Sequence, residues 1–514
     1  MSHPKLKSLA HVVELPDLYP PLSEPLSEPL SEPLSEPLSE PLSEPLSEPL
    51  AEPLSEPLAE PLATAKPKAN PTFYPYYWPE DLAKLYNFPT TYKNTAGVTK
   101  ALDGDGKKIG IIQLSGSYQQ SDLDAYFAIQ PPGIVRQMPN FQPFTYNGQT
   151  FVAGKPDFNK DDGDNSEVAL DMQIIGALVP KATINIYFGY NVSTGVQYFY
   201  EAVQQAIFDN CSVISISWGT TERTATVEQP FFTNLDGLFQ SATTGQKKIT
   251  FVVAAGDYGS SDDQSGNPCV NFPGSSPYVL SCGGTNLLAD YSKKTIFQES
   301  VWNNKKGAAT GGGVSKLFGR PTWQKTLAPK LTKRGSPDVT GHADPRISPY
   351  AVYFQGANSV GLKGVGGTSA TAPLYASLAL RLCQAKGSNL GLLQPLVYAN
   401  VAKVCRDITL GDNDTTPNLK VDYAAAKGWD ACSGCGALNG KALFNVMFPP
   451  PPKPKVGQGY GKKAKVQQVQ AHGQQVQAKV QQAKVKPAQV KPAPPNFKGG
   501  AFNKLFSEKW KKKI

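Results

Sequence analysis

The middle of the chain predicts an α/β fold with a doubly wound, mainly parallel sheet. Four short runs are almost wholly apolar, as strands buried on both faces are, and longer stretches with helical spacing lie between them. The runs are residues 107–114, 183–189, 212–219 and 248–257, and the helical stretches are residues 166–179, 196–209 and 369–385. Strands that alternate with helices indicate a parallel sheet covered on both sides. Ligands in such folds bind at the carboxyl ends of the strands, and chemistry is expected there.

Charge divides the 514 residues into three regions. Residues 1–71 hold four Lys and twelve Asp or Glu, a charge of −8, whereas residues 450–514 hold fifteen Lys and one Glu, a charge of +14. The middle is left nearly neutral at +2, and the chain's 40% of apolar residues is enough for a large domain. We therefore predict a disordered acidic head over 1–71, a globular domain over 72–448 and a disordered basic tail over 449–514.

The head contains ten copies of a PLSE tetrapeptide between residues 21 and 60, with Ala in place of Ser at Ala51 and Ala59. Proline at every fourth position excludes both a helix and a sheet ladder, and one Glu per unit keeps the segment hydrated. An extended spacer is the simpler interpretation, and a recognition repeat for a partner is the alternative.

The tail repeats Lys, Gln, Ala, Val and Pro and has too few large apolar residues to bury a core. A flexible arm with this charge can neutralise phosphates of nucleic acid or an anionic surface, with an affinity that falls steeply with salt. A merely solubilising tail explains the same composition, and the sequence leaves the two interpretations open.

Three other features restrict the class of protein. No run of eighteen apolar residues exists, so no membrane-spanning helix is expected. His11 and Glu14 interrupt the first apolar stretch, so no secretory signal is expected either. Seven Cys at this low density argue against a disulfide framework. Cys432 and Cys435 form a CxxC without a second pair, which favours a buried pair over a zinc site.

A candidate nucleophile lies in GGTSATAP, residues 366–373. The motif places Ser369 at the start of a helix with a proline in its first turn, where free N–H groups and the helix dipole stabilise negative charge. Capping and packing are the alternative explanation for small residues at such a position. A nucleophilic serine needs a base, and the one histidine of the predicted domain, His342, has no acidic partner at a suggestive spacing. We therefore expect a carboxylate as the base.

Candidate carboxylates are Glu167, Asp171 and Asp257. The first two are spaced i, i+4 on one helix face, where like charges are unfavourable unless they share a proton or point into a site. Two solvated acids near a helix N-terminus are the alternative. Asp257 follows the most apolar strand, where it can cap the next turn or, when protonated, donate a hydrogen bond to a developing oxyanion.

Taken in order, these motifs resemble the sedolisin family of serine-carboxyl peptidases, relatives of subtilisin that use Glu in place of His and work in acid. The segments that carry the resemblance are ExxxD (167–171), SISWG (215–219), AAGD (254–257), FPGSSPYV (272–279) and GGTSAxxP (366–373), and it extends from residues 75–92 through 336–345 to 407–409 and 428–440. The resemblance thus covers the predicted domain, and it implies a subtilisin-like fold.

The resemblance implies a role for each acidic candidate. Ser369 becomes the nucleophile, Glu167 the general base and then acid, Asp171 the carboxylate that orients Glu167, and Asp257 the oxyanion acid. Trp218 stands where relatives place an aromatic side chain beside the acid network. Because one acid of such a cluster must stay protonated, activity is expected at acidic pH.

The resemblance also implies one structural calcium ion. Asp407 and Asp430 stand where the family's two carboxylate ligands lie, with the carbonyls of Ile408, Ala426 and Gly428 between them. Oxygen ligands of this kind suit calcium rather than zinc.

Two departures from the family pattern bear on function. Only the short head precedes the domain where family members usually carry a folded pro-domain, so we expect either that folding and latency are handled differently or that the pro-domain is supplied elsewhere. Gln113 stands where some relatives have an acid, which predicts a shorter proton network.

The expected activity is that of an endopeptidase or tripeptidyl peptidase acting on protein or peptide substrates. We expect a monomer, and an acidic compartment if the chain is active. The competing hypothesis is an inactive peptidase-like protein, for example in a particle, whose tail binds nucleic acid or anionic surfaces.

Overall fold

The computed structural model describes residues 7–8, 10–13, 72–150, 162–189, 195–356, 360–415 and 423–449. The PLSE repeats and the basic tail lie outside these residues, so the predictions about them remain predictions. The strands are Lys7–Ser8 (β1), His11–Val13 (β2), Thr91–Lys93 (β3), Thr99–Ala101 (β4), Lys108–Gln113 (β5), Asn140–Thr145 (β6), Thr183–Phe188 (β7), Val213–Ile216 (β8), Trp218–Thr221 (β9), Thr250–Ala254 (β10), Asn271–Phe272 (β11), Leu280–Asp290 (β12), Thr295–Val301 (β13), Gly313–Gly319 (β14), Lys333–Ser336 (β15), Val339–His342 (β16), Tyr350–Gln355 (β17), Val360–Gly366 (β18), Cys405–Arg406 (β19) and Ala437–Leu438 (β20). The α-helices are Pro79–Leu85 (α1), Gln120–Ala128 (α2), Asp162–Leu178 (α3), Gly195–Phe208 (α4), Ala225–Thr244 (α5), Thr368–Lys386 (α6), Gln394–Ala399 (α7), Val401–Val404 (α8) and Gly440–Met447 (α9).

The central sheet has the strand order β19-β20-β16-β12-β10-β8-β5-β7-β6, with β13 added to β12. Every pair from β20 to β6 is parallel, and β19 and β13 are antiparallel additions at its margins. The non-sequential order arises because helices connect parallel strands by crossing over a face of the sheet. The predicted doubly wound, mainly parallel α/β fold is confirmed.

Two hydrophobic cores cover the two faces of the sheet. In β5, Ile109 and Ile111 contribute to the core that contains α1, α3 and α6, whereas Ile112 contributes to the core that contains α4 and α5. Successive side chains of a strand point to opposite faces, so a strand buried on both sides must be apolar throughout. This requirement explains the uninterrupted apolar runs in the sequence.

The observed elements differ from the predicted ones at two points near the carboxyl ends of the strands. The run 212–219 is interrupted at Ser217, which separates β8 from β9. Pro373 lies in the second turn of α6 rather than in its first turn. Both departures alter the backbone around the candidate nucleophile.

Part of the head forms strands, although disorder was expected over 1–71. β1 pairs antiparallel with β9, and β2 pairs antiparallel with β18. Strand edges with unpaired N–H and C=O groups accept such additions readily. These few residues of the head therefore lie as strands against the domain, and most of residues 1–71 lies outside the described residues.

No helix in the described part of the chain is long and apolar enough to cross a membrane. All seven cysteines are free thiols. Cys432 and Cys435 are buried, and burial raises the pKa of both thiols, so they remain protonated. This agrees with the predicted buried pair.

Candidate active site

Ser369 is the second residue of α6 and is completely buried. The preceding Gly367 has φ 106°, a backbone conformation that favours glycine, and it sets the chain direction into the helix. Pro373 has no N–H to donate to the carbonyl of Ser369 four residues earlier. The hydroxyl of Ser217 lies 3.4 Å from that carbonyl oxygen instead. Ser217, at the break between β8 and β9, thus contacts the carbonyl group of Ser369 that Pro373 leaves without a helical hydrogen bond.

Glu167 is the hydrogen-bond partner of the candidate nucleophile, Ser369. The Ser369 hydroxyl donates to Glu167 Oε2 at 2.8 Å, across 202 residues of sequence, because α3 packs against α6. Both Glu167 and Asp171, one turn apart on α3, have no exposed surface. The pair is therefore not the solvated pair that the sequence left as an alternative. A carboxylate occupies the place where a base must be.

Asp171 is held by two donors. Its Oδ1 accepts from the Ser217 hydroxyl at 2.9 Å, and its Oδ2 accepts from Gln113 Nε2 at 2.8 Å. Burial raises the pKa of Asp171 to about 8, although both hydrogen bonds act in the opposite direction. The carboxyl group is therefore protonated at neutral pH and below.

Gln113 extends the network rather than ending it. While its amide N–H group donates to Asp171, its carbonyl oxygen accepts from Trp218 Nε1 at 2.8 Å. This order of donors fixes the orientation of the amide, because indole can only donate. The amide has no titratable proton, so the shorter proton network expected at Gln113 stays a prediction, and Trp218 lies beside the acid network as the resemblance implied.

Asp257 lies beside the start of α6. Its Oδ1 accepts from the backbone N–H of Thr368 at 2.9 Å and from the Thr368 hydroxyl at 2.6 Å. Gly256, with φ 107°, turns the chain between β10 and Asp257. Because Thr368 directly precedes Ser369, these bonds hold a carboxyl group next to the candidate nucleophile.

His342 is excluded as the base by its hydrogen bonds. Its Nδ1 accepts from the backbone N–H of Leu287 at 3.2 Å, so Nε2 carries the proton and donates to the Ser348 carbonyl at 2.7 Å. Burial lowers the pKa of His342 to about 4, and the ring is neutral above that pH. Both ring nitrogens of His342 therefore form hydrogen bonds with backbone groups.

Three residues that were not among the predicted site residues also line the site: Ser217, Thr368 and His11. Ser217 and Thr368 lie inside the motifs SISWG and GGTSAxxP, where a hydroxyl next to a catalytic candidate is a signal that the sequence contains. No comparable signal in the sequence pointed to His11, because it lies in the head, outside the predicted domain. Its Nε2 is 3.2 Å from Asp257 Oδ2, and its ring meets that of Trp302 edge to face, with centroids 5.6 Å apart.

The residues expected to bind calcium lie together in one loop region. The backbone N–H of Gly428 donates to Asp407 Oδ2 at 2.9 Å, and that of Ala426 donates to Asp430 Oδ2 at 3.0 Å. The Ser433 hydroxyl reaches both Asp430 Oδ2, at 2.9 Å, and the Ile408 carbonyl, at 3.4 Å.

An all-oxygen donor set of this kind fits calcium in its chemistry. Within the described ranges, no three His, Cys, Asp or Glu side chains come together as metal ligands. An ion here would therefore rest on the carboxylates of Asp407 and Asp430 and on backbone carbonyls.

Comparisons with known proteins agree with this geometry. Residues 150–401 match the model of the Subtilase family. Kumamolisin from Bacillus sp. (strain MN-32) is 37% identical over an alignment of 387 residues, and the match covers 72% of this chain and 63% of that protein. Tripeptidyl-peptidase sed5 from Aspergillus fumigatus is 28% identical over an alignment of 402 residues, and the match covers 71% of this chain and 65% of that protein.

A solved structure provides a third comparison. Pseudomonas sedolisin, described as a serine-carboxyl proteinase complexed with two molecules of pseudo-iodotyrostatin, superposes with a TM-score of 0.60 at 25% identity, over 72% of this chain and 98% of that chain. The chain spans somewhat less than two thirds of the length of the two curated relatives. Similarity in sequence and in fold points to one family, and the chain belongs to the sedolisin family.

Proposed function

We propose that this protein is a serine-carboxyl peptidase that hydrolyses peptide bonds in acid. The observation that carries the proposal is the 2.8 Å hydrogen bond from the Ser369 hydroxyl to the Glu167 carboxylate, between two fully buried side chains at the start of a helix. A serine and a base at this distance satisfy the geometric requirement for nucleophilic catalysis.

Acyl transfer follows from the positions of three side chains. Ser369 Oγ attacks the peptide carbonyl while Glu167 takes its proton and then gives it to the leaving amine. Water, deprotonated by Glu167, releases the acyl group in the reverse sequence. Asp171 keeps its proton because burial raises its pKa to about 8. The neutral Asp171, one turn along α3, therefore adds no second negative charge beside Glu167.

Asp257 supplies the oxyanion donor in this proposal. Its Oδ1 is committed as an acceptor to the N–H and hydroxyl groups of Thr368, so its proton is placed on Oδ2. An Oδ2–H group beside the start of α6 donates to the oxyanion that forms when Ser369 attacks. The donor exists only when the carboxyl group is protonated, which confines the reaction to acid.

One structural calcium ion belongs to the proposal. Asp407 and Asp430 would hold it with the carbonyls of Ile408, Ala426 and Gly428. When bound, the ion supplies positive charge between two carboxylates of one loop, and it takes part in no step of the reaction.

The substrates proposed are peptides or proteins, and the working environment proposed is an acidic compartment. One of the relatives compared is named a tripeptidyl-peptidase. Products identified by mass spectrometry distinguish the release of tripeptides from internal cleavage.

The proposal is tested by peptide hydrolysis between about pH 3 and pH 8. We expect activity below about pH 6, because the oxyanion acid must be protonated. Ser369→Ala should abolish it. Ser377→Ala, a buried serine of the same helix that donates to the Pro373 carbonyl, should retain it. Equal or greater activity at pH 8 would remove the carboxylate mechanism, and a folded but inactive chain would favour a binding protein.

A further inference from the structure

A groove lined by aromatic and proline side chains lies on the surface, and it shares no residue with the candidate active site. Tyr74, Tyr76 and Trp78, at every second position of one segment, line it together with Tyr291. The ring of Tyr291 meets that of Tyr74 edge to face, with centroids 4.9 Å apart, and the rings of Tyr76 and Trp78 meet in the same way at 5.6 Å. The other lining residues are Pro75, Asp81, Pro131, Pro132, Ile134 and Lys294. We call these ten residues the aromatic groove.

The aromatic groove presents contiguous apolar surface to solvent. Tyr291 is 38% exposed, Pro132 is exposed, and Pro75 and Ile134 are half-buried. Contiguous exposed apolar surface marks a place where a partner binds, unlike single exposed side chains. Aromatic grooves of this composition bind proline-rich segments in the left-handed extended conformation that proline favours. The groove is therefore suited to a proline-rich peptide.

Two charged side chains line the groove. The Lys294 ammonium group lies 3.6 Å from the centroid of the Tyr291 ring and 5.1 Å from that of Tyr74. Burial raises the pKa of Asp81, although Lys84 and Lys294 act in the opposite direction, so this carboxyl group loses its charge at a higher pH than an ordinary aspartate does. In acid the groove then presents the positive charge of Lys294, which complements an acidic peptide.

The chain itself contains an acidic, proline-rich segment. Residues 21–60 hold the ten PLSE repeats, each with one proline, one leucine and one glutamate. In a conformation with three residues per turn, each leucine shares a face with the proline three residues later, and a glutamate directly precedes that proline. A Leu–Pro pair can therefore contact the aromatic rings while the neighbouring glutamate meets Lys294.

The repeats are tethered at the edge of the groove. The Thr72 carbonyl accepts from the backbone N–H of Tyr291 at 2.7 Å, and the N–H of Tyr74 donates to the Ala289 carbonyl at 3.4 Å. The chain thus enters the domain beside two residues of the groove. Eleven residues, 61–71, separate Thr72 from the last repeat and span at most about 40 Å. So short a tether gives the repeats an effective concentration in the range of roughly 1 mM, at which a weak contact is occupied.

We propose that the aromatic groove is the docking site for the PLSE repeats of the same chain. The sequence left a recognition repeat open as the alternative to a spacer, and the groove provides the surface that such a repeat requires. Any of the ten units carries the same Leu–Pro pair and glutamate, so the units exchange in one groove. Docking involves none of the catalytic candidates and does not depend on the proposed function.

Peptide binding to the full chain tests the inference. Every chain carries Ser369→Ala so that no peptide is cleaved. In the acceptor chain, Leu→Ser replaces each repeat leucine from Leu22 to Leu58, so that its own repeats do not compete. A fluorescent (PLSE)4 peptide should bind the acceptor chain several-fold more tightly than it binds the chain with intact repeats. The peptide (PSLE)4 has the same composition but places each leucine two residues before the next proline, and it should bind much more weakly.

Groove variants of the acceptor chain locate the binding site. Tyr291→Ala and Lys294→Glu should each weaken (PLSE)4 binding about tenfold, because the first removes an aromatic contact and the second reverses a charge. The matched controls are Phe208→Ala, at an aromatic residue that is 73% exposed, and Lys306→Glu, at an exposed lysine. Both controls should leave binding unchanged. Thermal melts verify that all four variants are folded.

Carbodiimide cross-linking tests the contact within one chain. The reagent joins a carboxyl group and a nearby amine as an amide and takes up the water that is lost. In the chain with intact repeats, mass spectrometry should find Lys294 joined to a repeat glutamate in the monomer, with a yield that does not depend on protein concentration. Tyr291→Ala should lower this yield, and Phe208→Ala should not.

Four results would overturn the inference. They are absence of (PLSE)4 binding by the acceptor chain, equal binding of (PSLE)4, equal binding by the Tyr291→Ala and Lys294→Glu chains, and Lys294 cross-links found only between two copies. The last result would identify a second copy as the partner. Because every binding experiment uses Ser369→Ala, none of these results bears on hydrolysis, and a wild-type chain without hydrolysis would leave the docking result intact.

Discussion

In the proposed mechanism, Ser369 and Glu167 depend on each other as nucleophile and base, so removing either should cost nearly the whole catalytic effect. Each is buried and hydrogen-bonded to the other, and the two act as a unit whose single effects do not add. A hydroxyl that loses its base remains protonated and attacks slowly.

Glu167→Gln should therefore lower kcat on the order of 10⁴-fold, about as much as Ser369→Ala. The amide keeps the size and can still accept the Ser369 hydrogen bond, so the melting temperature should change little. Asp236→Asn is the matched control, because Asp236 is an acid outside the site whose pKa burial raises to about 6. Near wild-type kcat in Glu167→Gln would reduce the i, i+4 pair to a structural role.

At the scale of elements, the two ends of α6 use glycine for different purposes. Gly367, with φ 106°, begins the helix beside Ser369, and Gly387, with φ 75°, ends it with left-handed geometry. An added Cβ strains the backbone at either end.

Gly367→Ala should lower stability by about 1–3 kcal/mol and should also lower kcat, because the strain moves the backbone that positions Ser369. Gly387→Ala should lower stability by about 1 kcal/mol with kcat unchanged, since nothing lies within 4 Å of its added Cβ. Thermal melts and kinetics on both variants separate the two effects. Equal kcat in the two variants would contradict the positioning role of Gly367.

The loop of Asp407 and Asp430 is the element expected to bind calcium. Chelation should lower the melting temperature, because binding to the native state alone adds to stability. Calcium should restore the melting temperature and magnesium much less, since a carbonyl-rich site suits calcium. Asp407→Asn should lose this response, whereas Asp105→Asn, at an exposed acid elsewhere, should keep it. A wild-type melting temperature insensitive to EGTA would remove the calcium proposal.

Strand and helix types were largely predictable, but their junctions were not. The run 212–219 predicts one strand, yet the strand is interrupted at Ser217, whose hydroxyl donates to Asp171 Oδ1 at 2.9 Å. Composition likewise gave no indication that His11 would contact Asp257. Interactions between residues far apart in sequence determine the strand break at Ser217 and the placement of His11, and local sequence patterns do not contain this information.

For the whole molecule, the raised pKa of Asp171 links stability to pH. The carboxyl group binds its proton more tightly in the folded chain, where its pKa is about 8, than at its ordinary pKa of 3.8. Its contribution to stability is therefore complete below about pH 4 and is lost progressively as pH rises toward about 8. The contribution of Asp171 to the free energy of unfolding should therefore be larger in acid than at neutral pH.

Asp171→Asn should remove that pH dependence, because the amide does not titrate. The difference in unfolding free energy between wild type and variant, measured by denaturant melts from pH 4 to pH 8, should shift steadily in favour of the variant as pH rises. Asp124→Asn serves as the control, at an exposed acid of α2. A difference that stays constant over this range would show that Asp171 is ionised in the fold.

The sequence by itself determined the α/β class and the candidates for chemistry. Strands buried on both faces must be continuously apolar, and catalytic residues must lie at particular places relative to glycine turns and helix starts. Only the tertiary structure decided which atoms meet. Glu167 reaches Ser369 across 202 residues because α3 and α6 share one face of the sheet. His11 meets Asp257 because the edges beside the site accept added strands, and such long-range pairing depends on packing that no local pattern encodes.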